Sequence, residues 1–207
     1  MYCLILLAFV ASASANVYNV QCPLVKPVEN FNLEAYGNGV WYEIAKYSNE
    51  AEKGGQCGST EYHLQGDTFQ VRSYHVANGR LASIDGSARL AIPSANEGKL
   101  VFTLPYGGQD CCSVLSVPKS SGVGGALNEY TAWVLDTDYE NYAIVYHCRY
   151  NHEKKTRQDL AWILSRTKTL DAVSKAKIER FISECKFLDS SRFVYTDFSE
   201  AACKVQY

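Results

Sequence analysis

The sequence predicts an all-β protein, an eight-stranded antiparallel up-and-down β-barrel with one C-terminal α-helix packed outside. Three observations predict it. Short segments of mixed apolar and polar residues recur from Val40 onward, the connections between several of them are hairpin-sized, and no helical segments alternate with them to cover a sheet. The segments run over 40–47, 59–65, 68–76, 80–91, 99–106, 129–136, 142–150 and 158–166. Gly66-Asp67 and Ala77-Asn78-Gly79 are turn-sized links, the second carrying the Asn-Gly pair that suits positive φ. An antiparallel sheet of this size has two edges to hide, and closing on itself removes both while leaving an interior for one small molecule.

A single helix is expected over 171–185. Asp171 sits in its first turn, and Ile178, Phe181, Ile182 and Cys185 repeat at i, i+3, i+4 and i+7, a stripe that packs on the barrel wall. Between Tyr106 and Asn128 lies a segment longer than a hairpin allows, containing Cys111-Cys112 and a Gly/Ser-rich run from Ser120 to Gly125, read as a lid or an insertion.

Ahead of this domain, residues 1–15 read as an export signal. An apolar run from Leu4 to Val10 leads into Ala13-Ser14-Ala15, which makes Asn16 the mature N-terminus. The run is too short to span a bilayer, and no later stretch is long or apolar enough. The remaining chain, 16–207, is read as one secreted, extracellular domain. Its net charge is −2 with both signs interspersed, which gives no clustered basic face for nucleic acid.

Eight cysteines in an exported chain suggest disulfides. Cys3 leaves with the signal, and Cys22, Cys57, Cys111, Cys112, Cys148, Cys185 and Cys203 remain, an odd number. No two closely spaced pairs match a zinc site, so no metal is expected. No Ser/His/Asp or paired-carboxylate constellation is legible either, which argues against an enzyme.

Three motifs coincide with the strand map: Gly39-Val40-Trp41 at the first strand, Thr137-Asp138-Tyr139 at the turn after the sixth, and Arg166 closing Trp162-Ile163-Leu164-Ser165-Arg166. In this order they resemble the signature regions of the lipocalin family. Further runs, among them Asn16-Val17-Tyr18, Cys22 to Phe31, Glu43 to Tyr47, Ser73-Tyr74-His75-Val76 and Asp197 to Val205, are similar to the bilin-binding proteins and insecticyanin of insects. The resemblance covers nearly the whole mature chain except the segment from about 109 to 127. Cys111, Cys112 and Cys185 are additions to the pattern.

The resemblance implies disulfides Cys22–Cys148 and Cys57–Cys203, and structural roles for Trp41 and Arg166, the guanidinium lying across the indole at the closed end. With Cys148 outward, period-2 alternation turns His147 and Arg149 inward, and Trp41 inside implies Glu43 inside. The resemblance adds Lys46, Asn49, Ser73, His75, Ile84, Leu104, Tyr106, Tyr130, Gln158, Leu160 and Trp162 to the ligand-binding set. Its implied ligand is a noncovalent biliverdin-type bilin. Tyr106, Tyr130 and Trp162 would be walls, Ser73, His75 and Gln158 hydrogen-bond partners, and Lys46 and Arg149 partners for the propionates.

Several alternatives stay open. The ligand is another small lipophile, such as a retinoid or carotenoid, or the barrel is a thiol isomerase, or the odd thiol links copies into a homo-oligomer. The states of Cys111, Cys112 and Cys185 are open too: a vicinal bridge, a bridge to Cys185, a buried Cys185 thiol, or a loop thiol that adds to a bilin.

Overall fold

The computed structural model describes residues 21–47, 54–104 and 128–206. The export-signal reading, Asn16-Val17-Tyr18, Asn49, Tyr106 and Cys111-Cys112 lie outside the described residues.

A four-residue helix α1 (Leu33–Tyr36) leads into β1 (Asn38–Tyr47), β2 (Gln56–Gln65), β3 (Thr68–Ala77), β4 (Arg80–Leu90), β5 (Lys99–Leu104), β6 (Asn128–Thr137), β7 (Tyr142–Asn151) and β8 (Thr156–Ser165). Helix α2 (Ala172–Glu184) and a short β9 (Phe193–Tyr195) follow. Each strand from β1 to β8 pairs antiparallel with the next, and β1 pairs with both β8 and β2, so the barrel closes. The eight expected strands are all present, with ends moved by up to three residues where fraying and local hydrogen bonding decide them.

Helix α1 and strand β9 are not among the elements expected from the sequence. Helix α1 is too short for a periodicity signal; the Asn32 side chain caps it, accepting from Ala35 N–H at 3.0 Å. Strand β9 has only three residues. It pairs with Ala45–Tyr47, on the edge of β1 that β2 leaves after its pairing over residues 38–42. The expected helix is present with different ends. Asp171 stands before its first turn as N-cap, accepting from Val173 and Ser174 N–H at 2.9 Å each, and Cys185 stands just past its last turn.

Two apolar clusters divide the molecule by strand face. The inner one contains Trp41, Tyr62, Phe69, Val71, Leu100, Val134 and Leu164, together with Phe31 and Tyr36 from the segment before β1. The outer one contains Ile44, Ile144, Tyr146, Cys148 and Ile163, covered by Ile178 and Ile182 of α2. Burying one Ile side chain is worth about 1.5–3 kcal/mol, so the two helical isoleucines account for the docking of α2.

The closed end is built on Trp41, which is fully buried. Its indole N–H donates to the Tyr36 carbonyl at 2.9 Å, and the Arg166 guanidinium lies 3.7 Å over the ring. Arg166 also donates to four carbonyls, those of Tyr139 (3.1 Å), Val40 (3.1 Å), Ala35 (2.9 Å) and Tyr36 (3.1 Å). One side chain therefore joins α1, β1 and the β6–β7 turn. That turn is held by Thr137 Oγ1, which accepts from Tyr139 N–H at 2.9 Å, and by Asp138, which accepts from Asn141 N–H at 2.8 Å. Gly39 sits at φ +91°, which explains why a glycine precedes the tryptophan by two residues.

Two disulfides tie the first and last described segments to the barrel strands. Cys22–Cys148 and Cys57–Cys203 are both formed, with sequence separations of 126 and 146, and each is worth about 5 kcal/mol in the chain-entropy account. Asp159, on the outer face of β8, takes a hydrogen bond from the Tyr146 hydroxyl at 2.8 Å and ion pairs from Arg157 at 3.0 Å and Arg192 at 3.5 Å. Arg157 also donates to the Gln21 carbonyl at 3.2 Å, so this carboxylate ties the N-terminal segment and the residues before β9 to one strand. Cys185 carries a free thiol and packs at the margin of the outer cluster.

Replacing Arg166 by Lys keeps the charge but loses the planar fork that serves four carbonyls and the ring stack. Arg166→Lys is expected to lower unfolding free energy by about 2 kcal/mol. Urea denaturation followed by tryptophan fluorescence measures this, and an unmoved midpoint would refute the clamp.

Candidate functional site

The cavity lies above the Trp41 plug, toward the end of the barrel where β1, β3, β5 and β7 finish. Its lower wall is apolar, with Val71, Phe102, Ala132, Val145 and Leu164, and its upper part carries polar groups among aromatic ones.

Alternation builds most of it. On β7, Val145 and His147 line the cavity while Ile144, Tyr146 and Cys148 join the outer cluster. On β8, Leu160, Trp162 and Leu164 line it while Ala161 and Ile163 face out. Ser73 and His75 of β3, Ile84 of β4, Leu104 of β5 and Tyr130 of β6, all expected there, also line it.

Strand β1 breaks the rule. Glu43 and Lys46 are three apart, which in a regular strand puts them on opposite faces, yet both line the cavity. The register against β8 shifts between Glu43 and Ala45, a bulge that places Ile44 and Ala45 together in the outer cluster and returns Lys46 to the inside. Lys46 Nζ then pairs with Glu43 Oε1 at 2.6 Å, with both side chains mostly buried. Room for this pair comes from Gly58 on β2, where a Cβ would stand 2.8 Å from Glu43 Oε1.

The other polar groups are also held. Ser73 and Thr60 hydroxyls are 2.9 Å apart across β2 and β3. His147, only 8% exposed, has Nδ1 2.7 Å from the Thr131 carbonyl, and the Tyr130 ring meets it edge-on at 6.2 Å. Burial holds the His147 imidazole below its ordinary pKa, opposed by the Thr131 hydrogen bond; Arg149 adds to the lowering and Asp159 works against it.

Arg149 and Gln158 face one another across β7 and β8 and are both exposed, at the rim rather than in the cavity wall. Lys46, grouped with Arg149 in the sequence reading, is instead buried inside. Thr60, Tyr62, Val71, Phe102, Ala132 and Val145 line the cavity without having been singled out. Strict alternation from Ser73, Leu104, Tyr130 and His147 reaches four of them, namely Val71, Phe102, Ala132 and Val145. The β2 register that brings in Thr60 and Tyr62 carries no such signal, because Cys57 at φ +57° interrupts it. Among the described residues no group of three His, Cys, Asp or Glu side chains is placed to hold a metal ion. No helix there is long and apolar enough to cross a membrane.

A barrel closed below by a Trp–Arg stack, hollow above, and flanked by one C-terminal helix defines a calyx protein. A family model, the lipocalin / cytosolic fatty-acid binding protein family, matches residues 38–200, and the chain belongs to this family. It is 42% identical over 206 residues to the bilin-binding protein of Pieris brassicae, covering 99% of each chain. It is 38% identical to insecticyanin-B of Manduca sexta, covering 94% of this chain and 88% of that one. The crystal structure of insecticyanin from the tobacco hornworm Manduca sexta superposes with a TM-score of 0.76 at 35% identity, covering 91% and 92% of the two chains.

Two outcomes follow. An imidazole kept neutral in the folded chain but titrating near its usual value of about 6.5 when unfolded binds fewer protons folded than unfolded. Stability is therefore expected to fall as pH drops below about 6.5, until the depressed folded value is passed. Urea midpoints at pH 7 and pH 5 should differ more for the protein than for His147→Phe, and equal differences would show that the buried ring is not responsible. Gly58→Ala, which crowds the Glu43–Lys46 pair, is expected to cost about 1–3 kcal/mol in the same measurement.

Proposed function

We propose that this chain is a secreted carrier, not an enzyme, that holds a linear tetrapyrrole of the biliverdin type noncovalently in its barrel and is coloured by it. The observation that carries this reading is the full-length similarity to a protein named for bilin binding. The cavity supports it. A bilin has flat apolar edges, pyrrole and lactam N–H groups and two propionates. Aromatic walls at Tyr130 and Trp162, polar groups at Ser73, His75 and His147, and the rim cation Arg149 match those features one by one. The proposed set extends to Glu43, Lys46, Asn49, Ile84, Leu104, Tyr106, Gln158 and Leu160.

A ligand of about forty heavy atoms at roughly 0.3 kcal/mol per atom reaches about 12 kcal/mol, or nanomolar affinity. Within this reading residues 1–15 are removed on export, 16–207 form one domain, and the function is coloration or pigment sequestration without turnover.

Purified protein mixed with biliverdin is expected to bind one equivalent and to develop an intense red absorption band that acid denaturation releases. Retinol or a carotenoid bound in preference, with no response to biliverdin, would replace the bilin by another lipophile.

A further inference from the structure

The polar groups of the cavity differ in what they leave for a ligand. Glu43 and Lys46 hold each other, and Ser73 holds Thr60. His147 is different. Its Nδ1 lies 2.7 Å from a backbone carbonyl, which only accepts, so Nδ1 carries the ring proton. In a neutral imidazole the other nitrogen, Nε2, then has a lone pair and no hydrogen. That atom is buried and has no hydrogen-bond partner. The ring itself is more than nine-tenths buried in the cavity wall, with Tyr130 against its edge and Leu160 opposite it on β8.

An acceptor left bare in an apolar wall is costly, and a ligand that donates to it recovers that loss, whereas a ligand without a donor leaves it in place. We infer that His147 is a specificity-determining acceptor, oriented by the Thr131 carbonyl, that selects for ligands presenting an N–H against β7. The inference deepens the carrier reading and rests on it for the natural ligand. For a linear tetrapyrrole the donor is a pyrrole or lactam N–H, and the β7 wall between Tyr130 and Leu160 is where that ring edge comes to rest. Hydrocarbon-like lipophiles of similar shape satisfy the walls but not this atom.

Carbazole and N-methylcarbazole test the acceptor apart from the bilin, because they share a flat aromatic body and differ in the N–H. Titration by tryptophan fluorescence quenching is expected to show about tenfold preference for carbazole in the protein. The preference is expected to vanish in His147→Phe and to return in part in His147→Gln, whose amide oxygen accepts. Biliverdin affinity should fall about tenfold in His147→Phe. Nitrogen-15 NMR of the imidazole should show the Nδ1–H form in the free protein, with the Nε2 signal moving when carbazole or biliverdin is added.

The inference is overturned if the protein binds both carbazoles alike or neither, if the Phe variant keeps the preference, or if the ring carries its proton on Nε2. Should the Phe variant not fold, the preference of the unmodified protein and its imidazole signals still decide. Loss of the bilin reading appears separately, as a protein that prefers carbazole over its N-methyl form but does not bind biliverdin.

Discussion

The Arg166 guanidinium stacked on the Trp41 indole is the constraint from which the rest of the barrel follows. The stack shuts one end, and the four carbonyls that Arg166 serves belong to the helix before β1, to β1 itself and to the β6–β7 turn. Segments more than a hundred residues apart in the chain are thereby fixed to one plane. The three short sequence motifs, Gly39-Val40-Trp41, Thr137-Asp138-Tyr139 and Arg166, meet in a single arrangement, with Arg166 donating to the Val40 and Tyr139 carbonyls and stacking on Trp41. With the base shut and its side chains packed solid, the hollow is confined to the upper half, and every inward residue above Trp41 becomes wall.

Much of this was legible in the chain. Segment lengths and turn residues gave the eight strands, and the outward Cys148 fixed the inward face of β7, including His147. What was hidden had local physical causes. The bulge in β1 depends on how β8 meets Glu43 and Ala45, a pairing between distant segments that no local pattern reveals, and it decides that Lys46 turns inward. No sequence pattern singles out Gly58, yet its missing side chain is what leaves room for Glu43. Helix α1 and strand β9 are too short to carry a period. Arg149, expected inside by alternation, lies two residues from the end of β7 and is exposed, outside the cavity lining.

The chemistry of the cavity reflects a division of labour between its walls. Strand β1 supplies an ion pair that neutralises itself, β2 and β3 supply hydroxyls that answer each other, and β7 supplies a ring whose outer nitrogen is bound to the backbone. A cavity with its polar groups mutually satisfied accepts any greasy molecule of suitable shape. One with a single unanswered acceptor is choosier, and the difference lies in one atom. The neutral state of that ring is maintained by burial, so selectivity and acid sensitivity have the same origin.

The tail after α2 has a mechanical consequence. Where β2 departs from β1 the barrel wall would part, and β9 fills the upper stretch of that seam while Cys57–Cys203 and the bond from Asp197 N–H to Gln56 rivet the tail to β2. The staves are thus hooped at the joint where they would otherwise spread. Among the described residues, the side of the barrel between β1 and β2 is thereby held shut by chain that follows the barrel itself.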